Sequence, residues 1–178
     1  VEAVQKTTVS AQISGEVEAV VLGSVDLSGG VESVLWRNSR HKLNTGQTTF
    51  SFDLSTDGWT IGEGAGAVVL KRLDKATKDG EHVYASIDAI GIAKGTSQES
   101  ITSACREALQ IADVDPSRIG YIEAFASGIP EDDDAEIAGL IQAYRTTGHD
   151  PHCALGSVKA TIGHTFAASG MASLIKTA

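Results

Sequence analysis

The sequence predicts an α/β fold with a buried sheet, and three observations lead to this prediction. Two nearly unbroken apolar runs, 18–26 (EAVVLGSVD) and 66–73 (GAVVLKRL), are typical of central strands that are covered on both faces. A clear amphipathic helix lies within 99–113, and strand-like and helix-like segments alternate along much of the chain. We therefore expect the two runs to be adjacent central strands of a covered sheet.

Around these strands, the first part of the chain is predicted to contain short helices and one long loop. Residues 1–14 can form a helix. Between the strands, residues 27–65 are rich in Gly, Ser, Thr and Asn, with a short helix possible at 30–38. A loop of that length in a compact domain usually has a function. Residues 74–80 are predicted to be a short helix that a glycine closes.

The second part of the chain continues the alternation. Residues 83–93 alternate as an extended strand does. In the amphipathic helix the apolar residues recur at i, i+3 and i+4, and this places Cys105 on the face that packs against the core. The remaining predicted elements are a strand at 119–125, a helix at 132–144, a strand at 153–157 and a terminal helix from about 164.

Charge excludes several classes of partner. The net charge of −9 and the pI near 4.9 argue against a surface for nucleic acid or anionic lipid, which requires a basic stripe. One local exception is the segment WRNSRHK, with Arg37, Arg40, His41 and Lys42. We interpret it as a solvated loop, and the alternative is a docking patch for an acidic partner.

The two cysteines, Cys105 and Cys153, are too few for a disulfide framework and lack the spacing of a zinc site. We therefore expect the protein to lie in the reducing cytoplasm and to bind no metal or cofactor. No apolar run approaches the ~20 residues of a membrane span, and no signal peptide is evident. Because Val1 begins abruptly in helix-like sequence without a capping residue, we expect the chain to be a piece of a longer protein.

A glycine motif in GEGAGAVVL imitates a dinucleotide fingerprint. Gly62, Gly64 and Ala67 have the G-x-G-x-x-A spacing, but the fingerprint requires a helix after it and here a strand follows. We favour a structural interpretation, in which the glycines let the backbone pass close to a neighbour. Glu63 is expected to accept hydrogen bonds from backbone donors in this turn.

An acidic run comes directly after Pro130. It lacks the spacing of a calcium loop, and carboxylates are favoured in the first turn of a helix by the positive end of its dipole. We predict a solvated first turn, with a structural role held in reserve for Asp133 and Glu136. The members of the run are Glu131, Asp132, Asp133, Asp134 and Glu136.

Lys159 and His164, in GSVKATIGHTFAASG, form the strongest candidate for chemistry. A histidine in the first turn of a helix has its pKa lowered by the positive helix end, so that the neutral imidazole can donate an N–H to a developing oxyanion. Lys159 would add positive potential. The alternative is a packed histidine and a solvated lysine. Their joint setting favours the functional interpretation.

Three blocks of the chain resemble, in order and spacing, blocks of the β-ketoacyl synthases. They are FDLSTDGWTIGEGAGAVVLKRL (52–73), GYIEAFASGIPEDDDAE (120–136) and GSVKATIGHTFAASGMASLIK (156–176). The resemblance implies a thiolase-like layered fold, built from two related halves, and a dimer. The chain would be partial: residues 1–81 would be the latter part of the first half, with the loop 27–65, and residues 82–178 the beginning of the second.

The same resemblance implies a particular chemistry. Family members hold the acyl chain on a cysteine and use two histidines to bind the malonyl thioester carbonyl while carbon dioxide leaves. His164 matches the second histidine and Lys159 its supporting lysine, whereas Phe125 stands where members have the first histidine. Thr161 replaces a frequent asparagine. The cysteine would lie upstream of the chain, and neither Cys105 nor Cys153 occupies its place.

Loss of the first histidine removes a hydrogen-bond donor, which typically costs about 2.7–4 kcal/mol in the transition state. The pattern is similar to the chain-length-factor members of the family, and residues 23–38 resemble those of polyunsaturated fatty acid synthases. The resemblance then implies a non-condensing partner of an active ketosynthase, acting on acyl groups linked to carrier-protein phosphopantetheine. The alternative is a degenerate but active β-ketoacyl synthase that condenses or decarboxylates malonyl groups.

Overall fold

A computed structural model describes residues 17–44, 52–53, 58–146 and 152–178. The predicted helix at 1–14 and parts of the loop 27–65 lie outside the described residues. The strands are β1 (Ala19–Asp26), β2 (Gly64–Lys71), β3 (Tyr121–Glu123) and β4 (Ala154–Gly156). The α-helices are α1 (Val31–Asn38), α2 (Leu73–Asp79), α3 (Gln98–Ala112), α4 (Pro130–Tyr144), α5 (Lys159–Ile162) and α6 (Ser169–Thr177). Two 3₁₀ turns cover Pro116–Arg118 and Phe166–Ala168.

The two apolar runs form one antiparallel pair. Strands β1 and β2 pair in register from Ala19 opposite Lys71 to Asp26 opposite Gly64, so the predicted adjacency is confirmed. One face of the pair packs against α6 and the second 3₁₀ turn. The other face is exposed at Val21, Val25 and Val69. The expectation of central strands covered on both faces is therefore wrong for the described residues, which supply a cover for one face and no third strand.

The second part of the chain is built around the parallel pair β3–β4, with Tyr121 opposite Ala154 and Glu123 opposite Gly156. Helix α4 makes the crossover that parallel pairing requires. It packs closely against α3, because Gly139 has no side chain: a Cβ there would lie 2.9 Å from the Cβ of Ile101. The hydroxyl of Thr102 donates to the Gly139 carbonyl at 3.1 Å across this contact.

Most predicted elements are present with shifted bounds. Gly80 ends α2 in the left-handed conformation, with φ of 70°, and α4 begins at Pro130 rather than 132. The terminal helix begins at Ser169 rather than 164, because the residues before it form a bridge and a 3₁₀ turn. Residues 83–93 form no strand, since a strand requires a pairing partner and none of the described residues provides one. Cys105 is half-buried on α3.

One close contact joins the two parts of the chain at the candidate site. The backbone N–H of His164 donates to the Thr60 carbonyl at 2.7 Å, and that of Gly62 donates to the His164 carbonyl at 3.2 Å. This approach depends on Gly62, because a Cβ there would lie 2.0 Å from the carbonyl oxygen of Ile162. The glycine motif thus lets two backbones meet at Gly62, and β2 begins within the motif, at Gly64.

Candidate functional site

His164 lies buried where the two parts of the chain meet, and only 6% of its surface is exposed. Its ring nitrogen Nδ1 accepts a hydrogen bond of 3.0 Å from the backbone N–H of Phe166. A neutral imidazole that accepts at Nδ1 carries its proton on Nε2. The local backbone therefore selects the tautomer in which Nε2 is a donor.

The surroundings keep this imidazole neutral. Burial lowers the pKa of His164 to about 4, the positive charges of Lys159 and Arg37 act in the same direction, and Asp26 opposes them. The direction of this pKa shift agrees with the prediction from the sequence, whereas its cause differs. Helix α6 begins only at Ser169, so burial and two cations, rather than a helix end, lower the pKa in the folded chain.

Lys159 lies beside His164, with only 8% of its surface exposed. Its Nζ donates to the backbone carbonyl of Phe125 at 2.5 Å and lies 4.1 Å from the centroid of the Phe125 ring. Burial lowers the pKa of Lys159, while the carboxylates of Glu136, Glu123 and Asp133 oppose that shift. Lys159 is thus a buried cation that contacts Phe125, the residue that the sequence places at the position of the family's first histidine.

Phe125 presents its ring to the same place. The ring centroid is 5.4 Å from that of His164, with the two planes at 84°, and about half of the residue is exposed. The backbone N–H of Phe125 donates to Glu136 Oε1 at 2.7 Å, and that of Ala126 to Glu136 Oε2 at 2.8 Å. Both carboxylate oxygens thus hold the segment after β3, where Ala126 has a φ of 45°.

Asp133 fixes the next turn of this segment. It is buried, and its Oδ1 accepts from the Ser127 hydroxyl at 3.0 Å and from the Gly128 backbone N–H at 3.2 Å. Burial raises the pKa of Asp133 and also that of Glu136. The structural role held in reserve, rather than the solvated first turn, thus describes Asp133, whereas Glu131 in the same turn is exposed.

Glu63 connects the loop after β1 to the beginning of β2. Its Oε1 accepts from the backbone N–H of Gly29 at 2.7 Å, so the donor comes from a residue distant in sequence rather than from the same turn. The contact places α1, which follows Gly29, over the edge of the site.

Three residues of the site were not singled out as site residues from the sequence. The guanidinium of Arg37 lies 3.3 Å from the centroid of the Phe166 ring, and Phe166 stacks on His164 at 4.4 Å. Trp59 lies 5.0 Å from His164. Arg37 is half-buried and lies 3.5 Å from Asp26, so the prediction of a solvated loop is wrong for this residue. Of these three residues, only Phe166 could have been inferred from the sequence, because it follows His164 by two positions.

The arrangement can present one neutral N–H donor and one buried cation to a carbonyl oxygen, beside an aromatic wall. Among the described residues no group of three or more His, Cys, Asp or Glu side chains could hold a metal ion. In the same part of the chain, none of the helices has both the length and the apolar character needed to cross a membrane.

Comparison with known proteins decides the family. The model of the β-ketoacyl synthase N-terminal domain matches residues 4–76, and that of the C-terminal domain matches residues 63–178. This chain belongs to the β-ketoacyl synthase family. The predicted boundary between residues 81 and 82 stays a prediction.

Individual relatives agree with this assignment. The chain is 39% identical over 179 residues to one subunit of the polyunsaturated fatty acid synthase of Thraustochytrium sp., in a match that covers 93% of this chain and 8% of that protein. It spans only 4% to 15% of the lengths of the first curated relatives that it matches.

Solved structures confirm the fold. The ketosynthase from module 6 of the bacillaene synthase of Bacillus subtilis 168 superposes with a TM-score of 0.86 and 32% identity, over 97% of this chain and 33% of that one. A second structure, described as PfaC keto synthase–chain length factor, gives a TM-score of 0.75 and 39% identity, over 90% of this chain and 16% of that one. The chain is thus part of a thiolase-like α/β domain, as predicted.

Proposed function

We propose that this chain is part of a chain-length-factor domain or subunit, which does not condense acyl groups but pairs with an active β-ketoacyl synthase. The pathway would be fatty acid or polyketide synthesis, with polyunsaturated fatty acids as the favoured product class. One observation carries the proposal: the ring of Phe125, which we assign to the position of the family's first catalytic histidine, lies 5.4 Å from His164.

A phenyl ring at this position changes what the site can do. It donates no hydrogen bond, so a thioester oxygen would retain His164 and lose its other histidine donor. A lost oxyanion donor typically lowers the rate by about 10²–10³. The carboxylate of Glu136 and the ammonium of Lys159 nevertheless hold the Phe125 segment firmly. A site that keeps its shape but lacks a donor fits a partner that shapes an acyl pocket.

One relative supports the choice of pathway and a matched structure supports the chain-length-factor role. The 39% identical relative is a subunit of a polyunsaturated fatty acid synthase, and one matched structure contains a chain length factor beside a ketosynthase. By extension, we propose that the whole protein is cytoplasmic, dimerises with an active ketosynthase and meets acyl groups on carrier-protein phosphopantetheine.

A second function has an observation in its favour. His164 retains a buried, neutral imidazole with Nε2 as donor, and Lys159 remains beside it. These two groups could polarise a malonyl thioester carbonyl without the missing histidine. A degenerate ketosynthase or malonyl decarboxylase is therefore the alternative. A cysteine at the nucleophile position of the whole protein would favour the active enzyme. A residue whose side chain is not a nucleophile would favour the non-condensing partner.

The test is a condensation and decarboxylation assay on the whole protein without its partner, with malonyl and acyl groups on the carrier protein. We expect no turnover above the level of the His164→Ala variant. Phe125→His should restore condensation only if the nucleophile cysteine is present, and Phe125→Leu is the matched control that restores no donor. Wild-type turnover that His164→Ala abolishes would establish the enzyme instead.

A further inference from the structure

Arg37 is the second cation that acts on His164, and the proposed chemistry leaves it without a role. Its Cζ lies 3.3 Å from the Phe166 ring centroid, and the same ring stacks on the His164 imidazole at 4.4 Å with the planes only 15° apart. Two groups within stacking distance of one phenyl ring must take its opposite faces. Guanidinium, phenyl ring and imidazole therefore form a single stack.

The guanidinium is held in place by groups from two elements. Its Nη2 lies 3.5 Å from Asp26 Oδ2 at the end of β1 and also donates to the Ser28 hydroxyl. Its Nε donates to Ser33 Oγ, one turn earlier on α1, at 3.2 Å. Asp26 Oδ2 further accepts from the Ala167 backbone N–H at 3.4 Å. The anchor of Arg37 is thus also tied to the turn that carries Phe166.

Phe166 is the residue through which this anchor reaches the imidazole. Its φ of 42° lies in the left-handed region, which bulky residues rarely adopt and which persists only when surrounding contacts require it. In that conformation its backbone N–H points to His164 Nδ1. A change in the Phe166 backbone would release this hydrogen bond and with it the choice of tautomer.

We propose that Arg37 is a positioning residue for His164, which acts through Phe166 to hold the imidazole in one orientation and in the tautomer with Nε2 as donor. A cation on the outer face of the phenyl ring is attracted by the ring's negative face and keeps the ring seated on the imidazole. The proposal refines the site on which the proposed function rests, but its test reads His164 directly and needs no condensation activity.

The test is the nitrogen NMR spectrum of His164, followed through a pH titration of the purified chain. Arg37→Met keeps much of the side-chain length and removes the charge and the planar fork. We expect the two ring nitrogens to move toward tautomer-averaged shifts. The pKa should rise by roughly half a unit or more, since a positive charge is lost and Asp26 is left unpaired near the ring. Lys159, the other cation facing His164, is unchanged in this variant.

Two companion variants separate positioning from charge alone. Arg37→Lys keeps the charge but cannot stack as a planar group, so we expect tautomer averaging with a smaller change in pKa. Arg40→Met is the matched control, because the Arg40 guanidinium lies 5.1 Å from the Trp36 ring, on the same segment but away from the stack. The His164 spectrum of this control should equal that of the wild type.

The path through Phe166 is tested by a double-variant cycle. In a Phe166→Leu background, adding Arg37→Met should change the tautomer ratio no further. A further change of the same size would overturn the path through Phe166. An unchanged His164 spectrum in Arg37→Met, with only a lower melting temperature, would reduce Arg37 to a structural ion pair. If Arg37→Met does not fold, Arg37→Lys and Asp26→Asn decide the same question.

Discussion

The protonation of His164 has a consequence for stability that can be measured. Burial lowers its pKa to about 4, below the value of 6.5 that the unfolded chain has, so the folded state favours the neutral ring. The unfolded state binds more protons between these values, and the free energy of unfolding should fall as pH falls from about 6.5 toward 4. Urea unfolding at several pH values will show this slope.

The control for that slope is His164→Gln, which removes the titrating ring and leaves the neighbouring carboxylates in place. Burial raises the pKa of Asp133 and Glu136, so these groups contribute with the opposite sign at the acidic end, and the variant isolates the histidine. Equal slopes in wild type and variant between about pH 6.5 and 5 would mean that His164 has the same pKa in the folded and the unfolded state.

At the scale of single elements, α4 holds the segment that follows β3. Glu136 accepts from two backbone N–H groups, at 2.7 Å and 2.8 Å. Glu136→Gln replaces one carboxylate oxygen by a donor, which faces a donor. We expect a loss of about 1–3 kcal/mol in the free energy of unfolding, measured in urea. Glu131→Gln, exposed on the same helix, should change it by less than about 0.5 kcal/mol.

The contact between the segment before β2 and the end of α5 allows a second test at this scale. A Cβ on Gly62 would lie 2.0 Å from the Ile162 carbonyl oxygen, which is backbone and cannot move aside alone. Gly62→Ala should therefore lower the stability by roughly 1–3 kcal/mol, as overpacking does, and disturb the His164 resonances. Gly30→Ala is the control, because a Cβ there meets no atom within 4 Å. A thermal melt in which both variants match the wild type would contradict this role of Gly62.

For the whole molecule, the exposed face of β1 and β2 is apolar at Val21, Val25 and Val69, and the chain spans only a third of a matched ketosynthase. Large uncovered apolar patches mark interfaces. We expect the whole protein to form a ketosynthase-like dimer, which analytical ultracentrifugation will detect. A monomer at micromolar concentration would speak against the partnership.

Within that dimer, Phe125 is proposed to fill volume that an acyl chain would otherwise enter. Phe125→Ala should change the length or abundance of the products while condensation by the partner continues. Product analysis by mass spectrometry is the measurement, with Tyr84→Ala, at an exposed aromatic residue, as the control. An unchanged product profile in Phe125→Ala would exclude Phe125 from the lining.

The sequence alone determined the family, the pairing of the two apolar runs and the choice of Phe125, Lys159 and His164 as candidate site residues. The apolar runs and the local setting of Lys159 and His164 are visible in the linear chain, whereas the family and the choice of Phe125 come from the resemblance of the three blocks to the β-ketoacyl synthases. It predicted the helix at 99–113 to within one residue, because α3 carries a continuous apolar stripe along its length. It predicted a strand at 83–93 that the structure does not form, since a strand is defined by a partner that the local pattern does not contain.

Only the tertiary structure decided what surrounds His164. Arg37 and Phe166 are distant in sequence, and no sequence pattern predicts that their side chains stack. They meet because Asp26 and the Gly29–Glu63 contact bring α1 over the turn after His164. The same holds for the neutral imidazole, which burial and two cations produce rather than a helix end. Burial and Coulomb interactions depend on distances in space, and those exist only once the chain has folded.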